Sequence, residues 1–313
     1  MPNVLTRLWG AVARLLAFSL VLLTCLVVSE QALAENGQRA VFVTGASTGI
    51  GRKITERLAA DGYFVYAGAR KEEDLRTLNA ITNVQAIRLD VTQDEEIAGA
   101  VRTVSKAGRG LYGLVNNAGV VTLGSLTGTS QDEFGLVMAV NVNGPFRITK
   151  AFAPMIIASK GRIVTIGSNA GVLAIKNMGA YCMSKHAIEA FTDVLDQEMQ
   201  PYGVQVSIIE PGGYQSEIFN SAARRAGRKP APSSYSPLPD PIEVAIATER
   251  ALFEPQPKRR YLVVATEPEA EATVKKQIEQ LIELNEGHHY TYDRETLIRM
   301  LDKALAGSRG KTQ

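Results

Sequence analysis

Cysteine is almost missing from this chain: there are two in 313 residues, and one of them, Cys25, lies in an apolar N-terminal stretch. If that stretch is removed, Cys182 is left alone and no internal disulfide can form, so thiol usage does not reveal the redox compartment. Histidine is nearly as scarce. His186, His288 and His289 are the only three, and no Cys/His spacing suggests a metal site. An excess of charge of one sign is lacking too. The 34 basic and 32 acidic residues leave a net charge of +2, and the basic clusters lack the interleaved aromatics that stack bases, so nothing calls for nucleic acid. With 45% hydrophobic and 21% charged residues, the composition is that of a globular protein, neither disordered nor multi-span. The sequence shows no nucleophilic Ser/His/Asp arrangement and no internal repeat.

One long apolar run is present, at the N-terminus. Arg7 and Arg14 precede Leu15 to Val28, and Ala32-Leu33-Ala34 then gives the small-x-small pattern of signal peptidase cleavage before the polar Glu35. Those 14 apolar residues reach about 21 Å at ~1.5 Å per residue, short of a ~30 Å hydrocarbon core. Residues 1–34 are therefore expected to be a signal peptide, with an uncleaved membrane anchor as the alternative. In both cases the flanking arginines hold the N-terminus inside and send the rest across. The expected location is exported, periplasmic or lumenal, or membrane-anchored, with membrane contact only through this segment.

From Arg39 to about Glu210, short β-branched runs alternate with longer amphipathic stretches. Strands are expected at Ala40–Thr44, Tyr63–Ala67, Val84–Asp90, Leu111–Asn116, Gly161–Gly167 and Val204–Glu210. Helices are expected near Ile50–Asp61, Lys71–Asn79, Gln93–Ala107, Ser130–Ser159 and Ala180–Tyr202. This alternation specifies an α/β fold, a doubly wound parallel sheet with helices on both faces, as a single domain over residues 35–313. Residues 212–241, rich in Gly, Ser, Ala and Pro, read as a long lid loop or loose helix whose Arg224, Arg225, Arg228 and Lys229 form a solvated face. The tail from Glu267 to Leu305 has apolar residues at helical spacing (Val274, Ile278, Leu281, Ile282) and reads as two packing helices.

The chemistry is concentrated in a few motifs. Thr44-Gly45-Ala46-Ser47-Thr48-Gly49-Ile50-Gly51 follows a strand and opens a helix. Glycines there allow a sharp turn close to a pyrophosphate, and the helix N-terminus offers free N–H groups. Tyr181 and Lys185 stand one helical turn apart. A free phenol with pKa near ~10 is rarely ionised at neutral pH, and an ammonium beside it favours the phenolate. At the end of the second strand, Ala69-Arg70 stands where an acid would bind the 2′-hydroxyl of NAD. The missing acid and the added arginine point to the 2′-phosphate of NADP, with NAD possible.

The glycine spacing is that of the short-chain dehydrogenases/reductases, and the resemblance covers roughly Arg39 to Ser216. Asn116-Asn117-Ala118-Gly119 resembles the family's turn that supports the central sheet and touches the cofactor. Asn141 and Ser168 occupy the positions of the catalytic asparagine and serine, and Tyr181-x-x-x-Lys185 completes the tetrad. The resemblance also implies that Asp90 contacts the adenine, that Pro211, Gly212 and Ser216 hold the nicotinamide carboxamide, and that Lys185 binds the nicotinamide ribose. It further implies that Ser168 orients the substrate oxygen and that Asn141 holds a proton-relaying water. Gly167 departs from the family, where many members have a serine, and Ser216 replaces a threonine. Gly110–Gly119 and Val206–Gly212 are similar to the branch of retinol, hydroxysteroid and 3-hydroxybutyrate dehydrogenases. The implied fold is Rossmann-like. The implied activity is reversible NADP(H)-dependent hydride transfer between an alcohol and a carbonyl, on a steroid, retinoid or short-chain substrate, in a homodimer or homotetramer. The rival readings are a nucleotide-sugar epimerase and a silent NADP-binding sensor or scaffold.

Overall fold

The computed structural model describes residues 38–229 and 238–309. The expected signal or anchor lies outside the described residues. All six expected strands form: Ala40–Val43 (β1), Phe64–Ala69 (β2), Val84–Arg88 (β3), Gly113–Asn116 (β4), Arg162–Ile166 (β5) and Gln205–Pro211 (β6). A seventh, Arg260–Val263 (β7), extends the sheet beyond the expected set. It has only four residues, all partly exposed, so no period-two signal marks it. Every pairing is parallel, in the order β3-β2-β1-β4-β5-β6-β7.

The helices are Gly49–Ala60 (α1), Glu72–Asn79 (α2), Asp94–Lys106 (α3), Gln131–Met138 (α4), Gly144–Ala158 (α5) and Gly179–Met199 (α6), then Ile218–Arg225 (α7), Ile242–Phe253 (α8), Glu267–Asn285 (α9) and Arg294–Arg309 (α10). Successive strand side chains point to opposite faces. Val41 and Val43 of β1 pack with Ile54, Leu58 and Leu252 on the side of α1 and α8. Ala40 and Phe42 pack with Leu114, Ile148, Phe152 and Ile163 on the side of α5. With both faces buried, strands such as Ala40-Val-Phe-Val43 read as unbroken apolar runs. The result is a single Rossmann-like domain.

Two expectations need correction. The stretch Ser130–Ser159 is not one helix, because a wide π turn at Ala139–Asn143 separates α4 from α5. Pro145, at the start of α5, has no N–H for the carbonyl four residues back, that of Asn141, and its ring pushes that carbonyl aside. The C-terminal tail does form two helices, but their stripe is not packed. Val274, Ile278, Leu281 and Ile282 are 48–54% exposed, and Thr273 is the one buried residue of α9. The 212–241 segment, expected as a loop or loose helix, contains α7, and its residues 230–237 lie outside the described residues.

Phe152 is fully buried with its ring 4.7 Å from that of Phe42. Phe152→Ala should lower unfolding free energy by about 3–5 kcal/mol, read as a reduced urea midpoint at unchanged slope.

Candidate active site

The chain leaves β1 toward one edge of the sheet and returns on its other side as β4. The connections diverge between the two strands and open a crevice at their carboxyl ends. Thr44 closes the floor. Its N–H donates to Val115 O at 3.0 Å, and its Oγ1 accepts the N–H groups of Asn117 (2.9 Å) and Ala118 (3.0 Å). Asn117 Nδ2 donates in return to the carbonyls of Thr44 (2.8 Å) and Gly45 (3.0 Å). Asn116 Nδ2 reaches Thr149 Oγ1 on α5 at 2.9 Å. The glycine turn and the Asn116–Gly119 turn are therefore one braced unit, with Asn116 and Asn117 in the sheet-supporting part expected of their turn.

The glycines serve the same closure. Gly45 and Gly49 have φ of +65° and +57°. A Cβ on Gly45 would lie 2.8 Å from Ala118 Cα, one on Gly51 would lie 2.3 Å from Gly45 O and Asn117 Nδ2, and one on Gly49 would lie 2.8 Å from Ser216 Cβ. What faces outward is the end of α1, with Ser47, Thr48 and Ile50 in the same turn. Thr48 makes no side-chain cap there and the first turn holds no acid. By contrast, α2, α3 and α4 open on Glu72-Glu73-Asp74, Asp94-Glu95-Glu96 and Asp132-Glu133. An uncapped, acid-free helix start fits a bound phosphate group.

Arg70 and Asp90 end β2 and open the turn after β3. Arg70 is 63% exposed and 3.8 Å from Asp90. Asp90 Oδ1 also accepts from Thr92 N (2.9 Å) and Thr92 Oγ1 (2.7 Å), so it shapes its own turn.

Four candidate residues converge at the crevice floor. Asn141, in the π turn, accepts Val120 N at 2.8 Å and donates to Val120 O and Ser184 Oγ, both at 2.9 Å. Both of its amide hydrogens are thus engaged by protein, which leaves one lone pair of Oδ1 for a water. Ser184 Oγ donates to Tyr181 O at 2.7 Å, a link that no motif had flagged. Ser168 Oγ accepts Ala170 N at 3.1 Å, lies 3.4 Å from Pro211 O and hydrogen-bonds the Tyr181 phenol. Lys185 Nζ donates to Ile166 O at 2.9 Å and stands 5.6 Å from the centroid of the Tyr181 ring.

Burial governs the ionisation of this group. It pushes the Tyr181 phenol up to about 12, against an opposing hydrogen bond from Ser168. It draws Lys185 down to about 8, with the Glu189 carboxylate opposing. The expected ammonium effect therefore does not set the proton affinity of Tyr181 in this arrangement. Lys185 faces a backbone carbonyl and the ring, and desolvation outweighs it.

Across the mouth, Pro211-Gly212 ends β6 and Ser216 touches Gly49. Beyond them Arg225, at the end of α7, donates to Val121 O at 2.6 Å and pairs with Glu133 at 3.4 Å. Arg224 pairs with Glu217 at 3.1 Å. Of the basic cluster expected as a solvated face, Arg225 thus ties α7 to the rest of the fold, while Arg224 is exposed and pairs with the start of its own helix.

Between about pH 8 and 10.5 the unfolded chain binds a proton at Lys185 that the folded protein does not. The burial penalty is therefore full below pH 8 and disappears as pH rises toward 10.5. Lys185→Met should raise the melting temperature by a few degrees at pH 7, and its advantage should shrink at pH 10 in paired thermal melts.

Residues 39–226 match the family model described as short chain dehydrogenase. A mitochondrial D-beta-hydroxybutyrate dehydrogenase of Rattus norvegicus is 38% identical over 196 residues, covering 59% of this chain and 57% of that one. Retinol dehydrogenase 5 of Mus musculus is 39% identical over 186 residues, 58% of each chain. The match thus spans less than two thirds of these relatives. A short chain dehydrogenase/reductase from Burkholderia phymatum, solved in complex with NAD, superposes with a TM-score of 0.67 at 27% identity over 82% of this chain and 97% of that one. Because the matched segment runs from β1 through α7 and takes in the whole crevice, the chain belongs to the short-chain dehydrogenase family of oxidoreductases.

Proposed function

We propose that the protein transfers hydride reversibly between NADP(H) and an alcohol or carbonyl, with Tyr181 moving the proton. The observation that carries this reading is the convergence of the Tyr181 hydroxyl, Ser168 and Lys185 beside an uncapped helix start. A bound nicotinamide supplies or accepts the hydride. Gly45, Ser47, Thr48, Gly49 and Gly51 frame the pyrophosphate position, and Arg70, with no acid at the end of β2, favours a 2′-phosphate. Asp90 lines the adenine side. Ile50, Asn117, Ala118, Gly119, Pro211, Gly212 and Ser216 line the nicotinamide half, and Lys185 is placed for its ribose.

Ser168 orients the substrate oxygen toward the phenol. A phenol held up at about 12 is fully protonated at neutral pH, which suits proton donation to the oxygen of a carbonyl undergoing reduction. Oxidation of the alcohol needs the phenolate, which a positive charge nearby favours. Asn141 steadies the loop at Val120 and, through Ser184, the backbone of Tyr181. α7, tied by Arg225 to Val121 and Glu133, is placed as the substrate lid. The names of the relatives support a retinoid, steroid or short-chain hydroxy acid as substrate. Exposed Phe146, Met183 and Val194 on α5 and α6 support pairing of copies into a homodimer or homotetramer. The basic-apolar-small order of residues 1–34 supports export or membrane anchoring, and among the described residues no helix is long and apolar enough to cross a membrane.

The test is cofactor oxidation by the protein from Glu35 onward with retinal, estrone and acetoacetate. Tyr181→Phe should lower kcat by about 100-fold or more while NADPH still binds, and unchanged turnover would refute the role of Tyr181. Arg70→Ala should raise the KM for NADPH by about 10-fold and leave NADH unaffected. A wild-type preference for NADH would overturn the role of Arg70. NADPH binding without turnover of any carbonyl would favour a cofactor-binding sensor.

A further inference from the structure

One turn beyond Lys185 on α6, a partly buried charge cluster sits behind the candidate site, and of its members only Glu210, in the Val206–Gly212 stretch, belongs to the motifs. Arg260 of β7 contacts Glu189 of α6 through Nη1, Glu210 of β6 through the same nitrogen at 3.1 Å, and Asp193 of α6 through Nη2 at 2.6 Å. Asp193 is also 3.6 Å from Arg259. The carboxyl side chains of Glu189 and Glu210 are only 14% and 8% exposed. Asp193 is thus shared between two arginines, Glu189 and Glu210 share Arg260, and Glu189, one turn along α6, is the acid that acts on Lys185.

The second oxygen of Glu189 has a different neighbour. Glu189 Oε1 is buried without a hydrogen-bond partner among the described residues, and it lies beneath the turn that carries Ser168. A Cβ on Gly171 would be 2.8 Å from it, and one on Gly167 would be 3.2 Å from it and 2.9 Å from Ile208 Cδ1. This accounts for the departure at Gly167, because the carboxylate and Ile208 occupy the space a serine side chain would need. Arg260, which fixes the carboxylate, lies beyond the segment that matches the family model.

We propose that Glu189 is a positioning residue for the reaction proposed above, on which its role rests. Held by Arg260, its carboxylate is the counter-charge of Lys185 and the floor of the Ser168 turn. Burial and the neighbouring Glu210 hold Glu189 up at about 7, so its charge appears near neutrality. The Glu189 carboxylate opposes the burial that draws Lys185 down. Between about pH 7 and 8 the charged carboxylate keeps a proton on Lys185 that burial would otherwise remove, and the ammonium favours the phenolate needed for oxidation. Below pH 7 Lys185 is an ammonium with or without that charge.

The test needs no substrate. NMR titration of lysine side chains, with Lys185 assigned through Lys185→Met, should show the Lys185 midpoint falling by about one unit in Glu189→Gln. Glu210→Gln lowers the proton affinity of Glu189 and keeps its charge, so the Lys185 midpoint should hold or rise. A purely structural role would leave the midpoint unmoved in both variants, and an unmoved midpoint in Glu189→Gln overturns the proposal. If Glu189→Gln does not fold, Glu189→Asp replaces it. That variant keeps the charge and must keep the midpoint within a few tenths of a unit, and a fall as large as that expected for glutamine overturns the proposal. In turnover, the acid limb of retinol or estradiol oxidation with NADP should move up by about one pH unit in Glu189→Gln. An inactive Tyr181→Phe beside an unmoved Glu189→Gln limb overturns only the role of Glu189, whereas an active Tyr181→Phe overturns the reading of the site itself.

Discussion

A parallel sheet covered by helices on both faces leaves its polar chemistry one place to go, the rim where the strands end, and the switch between β1 and β4 decides which part of that rim opens. Thr44 and Asn117 hold the two sides of that opening together with five hydrogen bonds, four of them between main chain and side chain. The three glycines of the first turn are required because protein atoms occupy every Cβ position. The start of α1 is left exposed by that closure with no side-chain cap, a geometry that suits a phosphate group.

Burial that protects the crevice floor also works against ionisation there. Tyr181, Lys185 and Glu189 are all shifted toward their neutral forms, and in each case desolvation is the largest cause. The groups that restore charge are opposite charges and hydrogen bonds close at hand: Ser168 for the phenol, Glu189 for the ammonium and Arg260 for the carboxylate. This gives β7, an edge strand of four residues, a part in the electrostatics of a site built mainly from β1, β4, β5 and α6. Replacing such a cluster by apolar side chains often costs little stability, whereas removing one member leaves a charge buried alone. The three acids on Arg260 therefore act as a unit.

Much of this was legible in the sequence. The six strands of the first 211 residues announced themselves as apolar runs between amphipathic stretches, because a doubly covered sheet demands that pattern. The glycine turn, Asn141, Ser168, Tyr181 and Lys185 were legible as residue types at fixed spacing. The π turn had a local signal as well, in Pro145 four residues after Asn141. Strand β7 had none, and neither did Arg260, whose three partners are 50 to 71 residues away in the chain.

The sequence by itself determined the fold class, the order of the elements and the identity of the polar residues at the crevice, since periodicity and spacing act locally. Tertiary structure decided what those residues do to one another. Asn117 became a brace, Lys185 turned to a carbonyl and a ring, Arg225 became a tie across the mouth, and the stripe on α9 stayed exposed. Proton affinities depend on how much water the fold removes and which charges it brings near, and neither quantity exists until distant segments have packed.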